Sequence, residues 1–255
     1  MTQHNRPTFR TALSNRMIQM TLGAFAFIAA AAGTALAVQA PAAVTATDKS
    51  AIEKIVHDYI LEHPEIIPQA IERLQAKRMS STIADNRMAL EKPYAGAWEG
   101  AANADVTVVE FFDYACGYCR ASLPDLAKLV GSDAKVKIVY RELPILSEES
   151  SDAAKVSLLA AERGQYMAYH KALYGAGKVT RDTIVAAAAK AGISKADAEA
   201  AMASSKYDAE IQSNIALAQK LQASGTPTFV IGDQVLNGAV GFDALKSGVA
   251  AARGK

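Results

Sequence analysis

The sequence predicts an α/β domain with the element order β-α-β, a helical insertion, then β-β-α, preceded by a separate helical segment. Three observations predict it. Two short runs rich in β-branched and aromatic residues, "DVTVVEFF" (Asp105–Phe112) and "KVKIVYREL" (Lys135–Leu143), flank a stretch of helical length. From about residue 150 to 223 the chain is rich in Ala, Leu, Lys and Glu and shows no strand pattern. "TPTFVIGDQVLNG" then supplies two further strand runs around Gly232-Asp233, a hairpin turn signal.

The elements follow in order from the N-terminus. Residues 1–16 carry three Arg and no acid, and residues 17–38 carry no charge. Small residues close the run, with Ala35-Leu36-Ala37 offering a cleavage site, so residues 1–37 read as a signal peptide cleaved near Ala37. Export to the periplasm is the expectation. Cleavage removes three of the 27 basic residues and none of the 26 acidic ones, which leaves a formal net charge of −2 over 218 residues. That balance argues against a nucleic-acid partner, which would want a basic face.

Residues 38–47 read as a linker. A helical segment over 48–92 follows, with Asp48 as its N-cap and Ile52, Ile55, Val56, Tyr59 and Ile60 at helical spacing. Pro64 and Pro68 interrupt it, and a second run with Ile67, Ile71 and Leu74 on one face continues toward Leu90. A segment of about 40 residues with so narrow an apolar stripe cannot bury it alone. Self-association is the favoured outcome. "EKPYAGAWEGAANAD" reads as a linker into the main domain, residues 93–255. There the two strand runs enclose a helix from about Cys116 to Val130, with a kink expected at Pro124. A strand, a helix and a strand joined by short connections want a parallel pair with a right-handed crossover. The insertion breaks near Gly164, Gly175-Ala176-Gly177 and Gly192, and Phe242–Ala252 forms the last helix.

The chemistry rests on two cysteines, Cys116 and Cys119, the only two in 255 residues. As a staple they would close a four-residue ring that adds about 2 kcal/mol, a poor reason to keep both. As a structural metal clip they lack a second ligand pair, and copper(I) capture by the bare thiols is the metal reading that survives. Their place after a buried strand and at the start of a helix favours redox use. Unpaired N–H groups at a helix N-terminus favour negative charge, so Cys116 is expected to be the attacking thiolate. Cys119, one turn on, is placed to resolve the mixed disulfide. Gly117 and Tyr118 between them tune the thiolate and lie where substrate must pass. The Thr226-Pro227 bond precedes a strand, where a proline is tolerated and a cis bond is possible, although an ordinary turn proline would fit as well. Glu110 is an acid in an apolar strand, costly unless partnered or functional, and otherwise a strand-edge residue facing water. Tyr166, Tyr169, His170 and Tyr174 cluster on one insert helix as a packed or partly exposed face.

"EFFDYACGYC" with the later "GTPTFVIG" resembles the thioredoxin-fold family of periplasmic disulfide oxidoreductases typified by DsbA, over roughly residues 100 to 252. The resemblance implies a thioredoxin fold with a helical insertion and a cis Pro227 packed on the active-site cysteines. It also implies that the Thr226 backbone pairs with substrate, and that Glu110 is a buried acid assisting proton movement. "CGYC" lacks the His that DsbA carries between its cysteines, so strongly oxidising character is not carried over. "IEKIVHDYILEHPEIIPQAIERLQAKR" is similar to the suppressor-of-copper-sensitivity protein C group, whose members with such a segment are trimeric disulfide isomerases. These resemblances imply a thiol–disulfide oxidoreductase of isomerase or reductase type, with a monomeric dithiol oxidase or a copper(I)-binding protein as alternatives. No cofactor beyond the Cys116–Cys119 redox pair is expected. The implied partners are cysteine-containing exported proteins, a membrane thiol reductase or oxidase, and further copies of the chain.

Overall fold

A computed structural model describes residues 45–254. The signal peptide, its cleavage site and most of the linker lie outside the described residues. Nine helices and five strands are described: α1 Ala46–Glu62, α2 Ile66–Glu91, β1 Trp98–Gly100, β2 Val106–Phe112, α3 Gly117–Ser132, β3 Val136–Glu142, α4 Glu148–Glu162, α5 Tyr166–Ala176, α6 Arg181–Lys190, α7 Lys195–Ala203, α8 Asp208–Lys220, β4 Thr228–Ile231, β5 Gln234–Asn237 and α9 Phe242–Arg253. Residues 56–255 form one compact unit, and the start of α1, through Ile55, falls to another.

The strands make one sheet in the order β1-β3-β2-β4-β5. β2 and β3 run parallel around the α3 crossover, while β1 is antiparallel to β3 and β4 is antiparallel to both β2 and β5. This is the thioredoxin fold, with α4 to α8 inserted between β3 and β4. Because side chains alternate along a strand, each strand serves two cores. Val106, Val108 and Phe112 of β2, with Ile138 and Tyr140 of β3, pack against Leu126 and Leu129 of α3, Leu245 and Val249 of α9, and the insertion. Val109, Phe111 and Val139 face the other way, onto Ile83 and Leu90 of α2 and Leu217 and Leu221 of α8.

Several expectations need correction. Thr45, not Asp48, caps α1: the Asp48 N–H donates to Thr45 Oγ1 at 3.2 Å and the Thr45 N–H donates back to Asp48 Oδ2 at 3.1 Å. Asp48 is therefore the third-position partner of a reciprocal capping box. Pro64 ends α1, but Pro68 lies in the first turn of α2, where its missing N–H would be unpaired anyway. The Gly- and Ala-rich linker contains β1, whose three residues are ordered by pairing with β3 rather than by their own propensity. α3 spans Gly117–Ser132 with Pro124 inside it. The insertion also breaks at 204–207, where no glycine marks it.

Candidate redox site

β2 delivers the chain to the site and α3 carries it away. Cys116 is the N-cap of α3, with φ −78° and ψ 115°. The Cys116 N–H donates to the Asp113 carbonyl at 3.0 Å, which closes the turn. The Cys119 N–H donates to Cys116 Sγ at 3.3 Å, so a free helix donor points at this sulfur. Cys116 Sγ in turn donates to the Thr226 carbonyl at 3.2 Å. The Thr226-Pro227 bond is cis. Both cysteines are free thiols and buried. Tyr118 stands 71% exposed beside them. At Gly117 an added Cβ would meet nothing within 4 Å, so the helix start is open to an approaching chain.

The pair is electrostatically unequal. Burial pushes the Cys119 thiol far up, and the nearby Glu110 carboxyl adds to it. Glu110 lies on the central strand β2, on the same sheet face as the cysteines, and is 1% exposed. Burial first, then Cys116 and Glu99, raise its carboxyl well above the usual range, and its Oε2 has no hydrogen-bond partner. It is not the water-facing edge residue that the sequence also allowed.

A second layer was not picked out in the sequence. Asp113 Oδ1 accepts from the Ala115 N–H and Ser150 Oγ, both at 2.7 Å. Its Oδ2 accepts from the Ile145 and Leu146 N–H groups at 2.8 and 2.9 Å. One carboxylate thus ties the cysteine turn to the loop after β3, whose Ile145 and Leu146 side chains are half exposed. Tyr174 Oη donates to the Asp113 carbonyl at 3.0 Å. Tyr114 Oη contacts Ser157 Oγ at 2.8 Å and His170 Nδ1 at 3.1 Å. Tyr166, Tyr169, His170 and Tyr174 are all buried, so they are packed core and not an exposed face. Burial depresses His170 to about 3, which keeps it neutral. The acids in "EFFDY" and "YREL", each beside a buried apolar run, were the available signal for this layer. Among the described residues no three His, Cys, Asp or Glu side chains come together as a metal-ligand set.

The structure brings six of the seven sequence-selected residues together around the start of α3: Cys116, Gly117, Tyr118, Cys119, Thr226 and Pro227. Glu110 lies directly behind them. Such an arrangement can pass a disulfide: a sulfur at a helix start to attack, a protonated neighbour to resolve, and a backbone carbonyl beside both.

Residues 107–250 match the DSBA-like thioredoxin domain, and residues 48–79 match the Copper resistance protein ScsC N-terminal domain. A thioredoxin-like oxidoreductase from Silicibacter pomeroyi is 40% identical, covering 67% of this chain and 99% of its own, with a TM-score of 0.63. A linker-deletion variant of ScsC from Proteus mirabilis is 28% identical, with 84% and 99% covered and a TM-score of 0.65. The thiol-disulfide exchange protein α-DsbA2 of Wolbachia pipientis is 26% identical, with 70% and 97% covered and a TM-score of 0.63. Over 156 residues the chain is also 27% identical to the Na(+)/H(+) antiporter NhaA 3 of Salinispora tropica. The match takes in 60% of this chain and 24% of the antiporter, so the chain spans about a quarter of the length of the curated relatives it matches. The chain belongs to the DSBA-like thioredoxin family, carries an ScsC-type N-terminal segment, and has the fold of a thiol–disulfide oxidoreductase.

Proposed function

We propose that this protein exchanges disulfides in exported proteins through Cys116 and Cys119, acting mainly as an isomerase or reductase. The observation that carries the reading is the asymmetry of the pair: a helix N–H directed at Cys116 Sγ, and a buried Cys119 whose thiol is held protonated. Cys116 thiolate attacks one sulfur of a substrate disulfide. That bond breaks, a mixed disulfide forms, and the second substrate sulfur leaves as a thiolate. If another substrate thiolate then attacks, the substrate is rearranged with no net electron transfer. If Cys119 loses its proton and attacks Cys116, the substrate is released reduced by two electrons and the pair is oxidised. Glu110 is the group placed to take that proton, and the Thr226 carbonyl and Pro227 are where an extended partner chain docks. The dithiol is itself the redox centre.

Three features favour isomerase or reductase over oxidase. "CGYC" carries no cation between its sulfurs. The match to the ScsC N-terminal domain covers residues 48–79. Ile52 and Ile55, and separately Val56, Tyr59, Ile67, Ile71 and Leu74, stand exposed at helical spacing, apolar residues suited to gathering copies of the chain. Read as an export signal, residues 1–37 would direct the reaction to the periplasm, with a membrane thiol reductase to return the pair to its reduced state.

Reactivation of wrongly bridged ribonuclease by the reduced protein, residues 38–255, is the test. Recovery that is lost in Cys116→Ala supports the isomerase. Efficient oxidation of a dithiol peptide by the oxidised form, without ribonuclease recovery, would make it an oxidase. Exchange that survives Cys116→Ala would refute the assignment of the site.

A further inference from the structure

The wall behind the dithiol holds a second acid that the exchange mechanism does not use. β2 and β3 are parallel, with Glu110 opposite Tyr140 and Phe112 opposite Glu142. Phe112 and Tyr140 face the redox side, and period-two alternation puts Glu110 and Glu142 on that side too. They sit on neighbouring strands, two positions apart, which separates their backbones by about 8 Å. Glu142 is buried, and its Oε1 has no hydrogen-bond partner.

The groups that act on it are neutral or acidic, and the exposed cation Lys171 of α5 acts on the neighbouring His170. β2 and the turn after it contribute Glu110, Asp113 and Tyr114, and β3 contributes Tyr140. α4 contributes the Ser157 hydroxyl, while α5 adds Tyr166, Tyr169 and Tyr174, together with the neutral His170. Glu210 of α8 adds a further negative charge. The nearest buried cation, Arg141, belongs to the other face and is engaged with Glu210, Asn214 and the carbonyl of Leu90. Asp113 accepts four hydrogen bonds, all from neutral donors. Two buried acids so placed, with a third acid beside them, cannot both lose their protons cheaply. They titrate as a linked pair.

We propose that Glu142 is a positioning residue of the redox centre, a second buried acid that shares one ionisation with Glu110 and so sets the pH at which Glu110 can take the Cys119 proton. The inference rests on the reading of Cys116 and Cys119 as the exchanging pair. In the step concerned, the Cys119 S–H gives its proton to the Glu110 carboxylate. Its sulfur then attacks Cys116 Sγ, the Cys116–substrate bond breaks, and the substrate thiolate leaves and is protonated by water. The pair carries one charge between them, and when Glu142 holds it Glu110 keeps its proton and cannot serve. Removing that competitor frees Glu110 at lower pH.

The test is a single-turnover measurement on the full-length protein, with Cys116 loaded as a mixed disulfide with a fluorescent peptide. Peptide release is followed against pH in the wild type, Glu142→Gln, Glu110→Gln and the double variant. Gln keeps the shape of Glu142 and removes its ionisation. The expected result is that Glu142→Gln moves the midpoint of the release profile about one pH unit toward acid. In the Glu110→Gln background the same change should move nothing. A Glu142→Gln profile that superimposes on the wild type would overturn the inference, as would a displacement that persists without Glu110. A purely structural role would change stability and leave the midpoint in place.

Should Glu142→Gln fail to fold, the wild type decides by carboxyl carbon NMR. Linked two-step titration of Glu110 and Glu142 supports the inference, and independent single steps sink it. Release that is equally fast in Cys119→Ser would instead refute the dithiol reading, and the two failures are thereby distinguishable.

Discussion

Asp113 concentrates more of the site's geometry than either cysteine does. Its carboxylate takes four hydrogen bonds, from Ala115, Ser150, Ile145 and Leu146, and its carbonyl takes the Cys116 N–H and the Tyr174 hydroxyl. An amide in its place accepts at only one atom. Asp113→Asn is expected to cost about 2 kcal/mol in urea unfolding and to slow peptide–disulfide exchange, because hydrogen bonds to a charged acceptor contribute about 1.5–3 kcal/mol each. Unchanged stability would mean that the turn holds itself. A second outcome at this scale is the pH dependence of stability. The folded Glu110–Glu142 pair keeps at least one proton that the unfolded chain gives up above about pH 4.5. The native state binds more protons there, so stability falls as pH rises, by up to about 1.4 kcal/mol per pH unit for each acid. His170 acts in the other sense. Its stabilisation is complete above about pH 6.5 and is lost as pH falls toward 3, because only the unfolded imidazole is protonated in that window. Urea midpoints at pH 6 and pH 8 should diverge in the wild type and diverge less in Glu142→Gln, where Glu110 is still buried. The cysteines and Pro227 were legible because sequence neighbours define them: a C-x-x-C at a helix start, a proline at a strand entrance. Asp113 and Glu142 were not, since donors 32 to 37 residues from Asp113 and walls from α4 and α5 give them meaning.

At the scale of the element, α2 has two halves with different duties. Ile67, Ile71 and Leu74 leave its first turns apolar and exposed, while Ile83 and Leu90 bury its last turns against Val109, Phe111 and Val139. Arg141 completes the anchorage. It reaches from β3 to the carbonyls of Ala89, Leu90 and Lys92 and pairs with Glu210 and Asn214, so one buried cation satisfies the unpaired end of the helix. Arg141→Ala and Leu90→Ala are each expected to lower stability by about 3 kcal/mol, the first by stripping buried acceptors and the second by opening a cavity. Leu74→Ala should change the unfolding free energy of the isolated chain by less than about 0.5 kcal/mol. Hydrogen exchange would show the α2 amides near Leu90 losing protection only in the first two. The helices and the long strands were readable from period alone. β1 was not, because its three residues are held by β3 and have no pattern of their own.

For the whole molecule, the order β-α-β, helical insertion, β-β-α was legible because each unit announces itself locally and only one compact sheet order joins them. The insertion's role was less so. Its Tyr166, Tyr169, His170 and Tyr174 read only as a packed or partly exposed face, and α5 delivers them as a buried aromatic wall to the back of the redox site. The exposed stripe leads to a prediction for the assembly. Ile71→Glu with Leu74→Glu should sediment as a monomer, keep exchange with a short peptide disulfide, and lose ribonuclease reactivation. Identical sedimentation of the variant and the wild type would remove the stripe from the argument.

The sheet has one property that bears on how copies can meet. Its two outer strands, β1 and β5, span three and four residues. Each leaves too short a row of open backbone groups for a foreign strand to extend. Gly100 closes β1 at φ 96°, and a side chain there would run into the Val136 carbonyl. A chain that keeps an oily helix in the open needs some guard against ordered aggregation. Here the guard is the brevity of both margins, which leaves no ribbon along which copies could fuse.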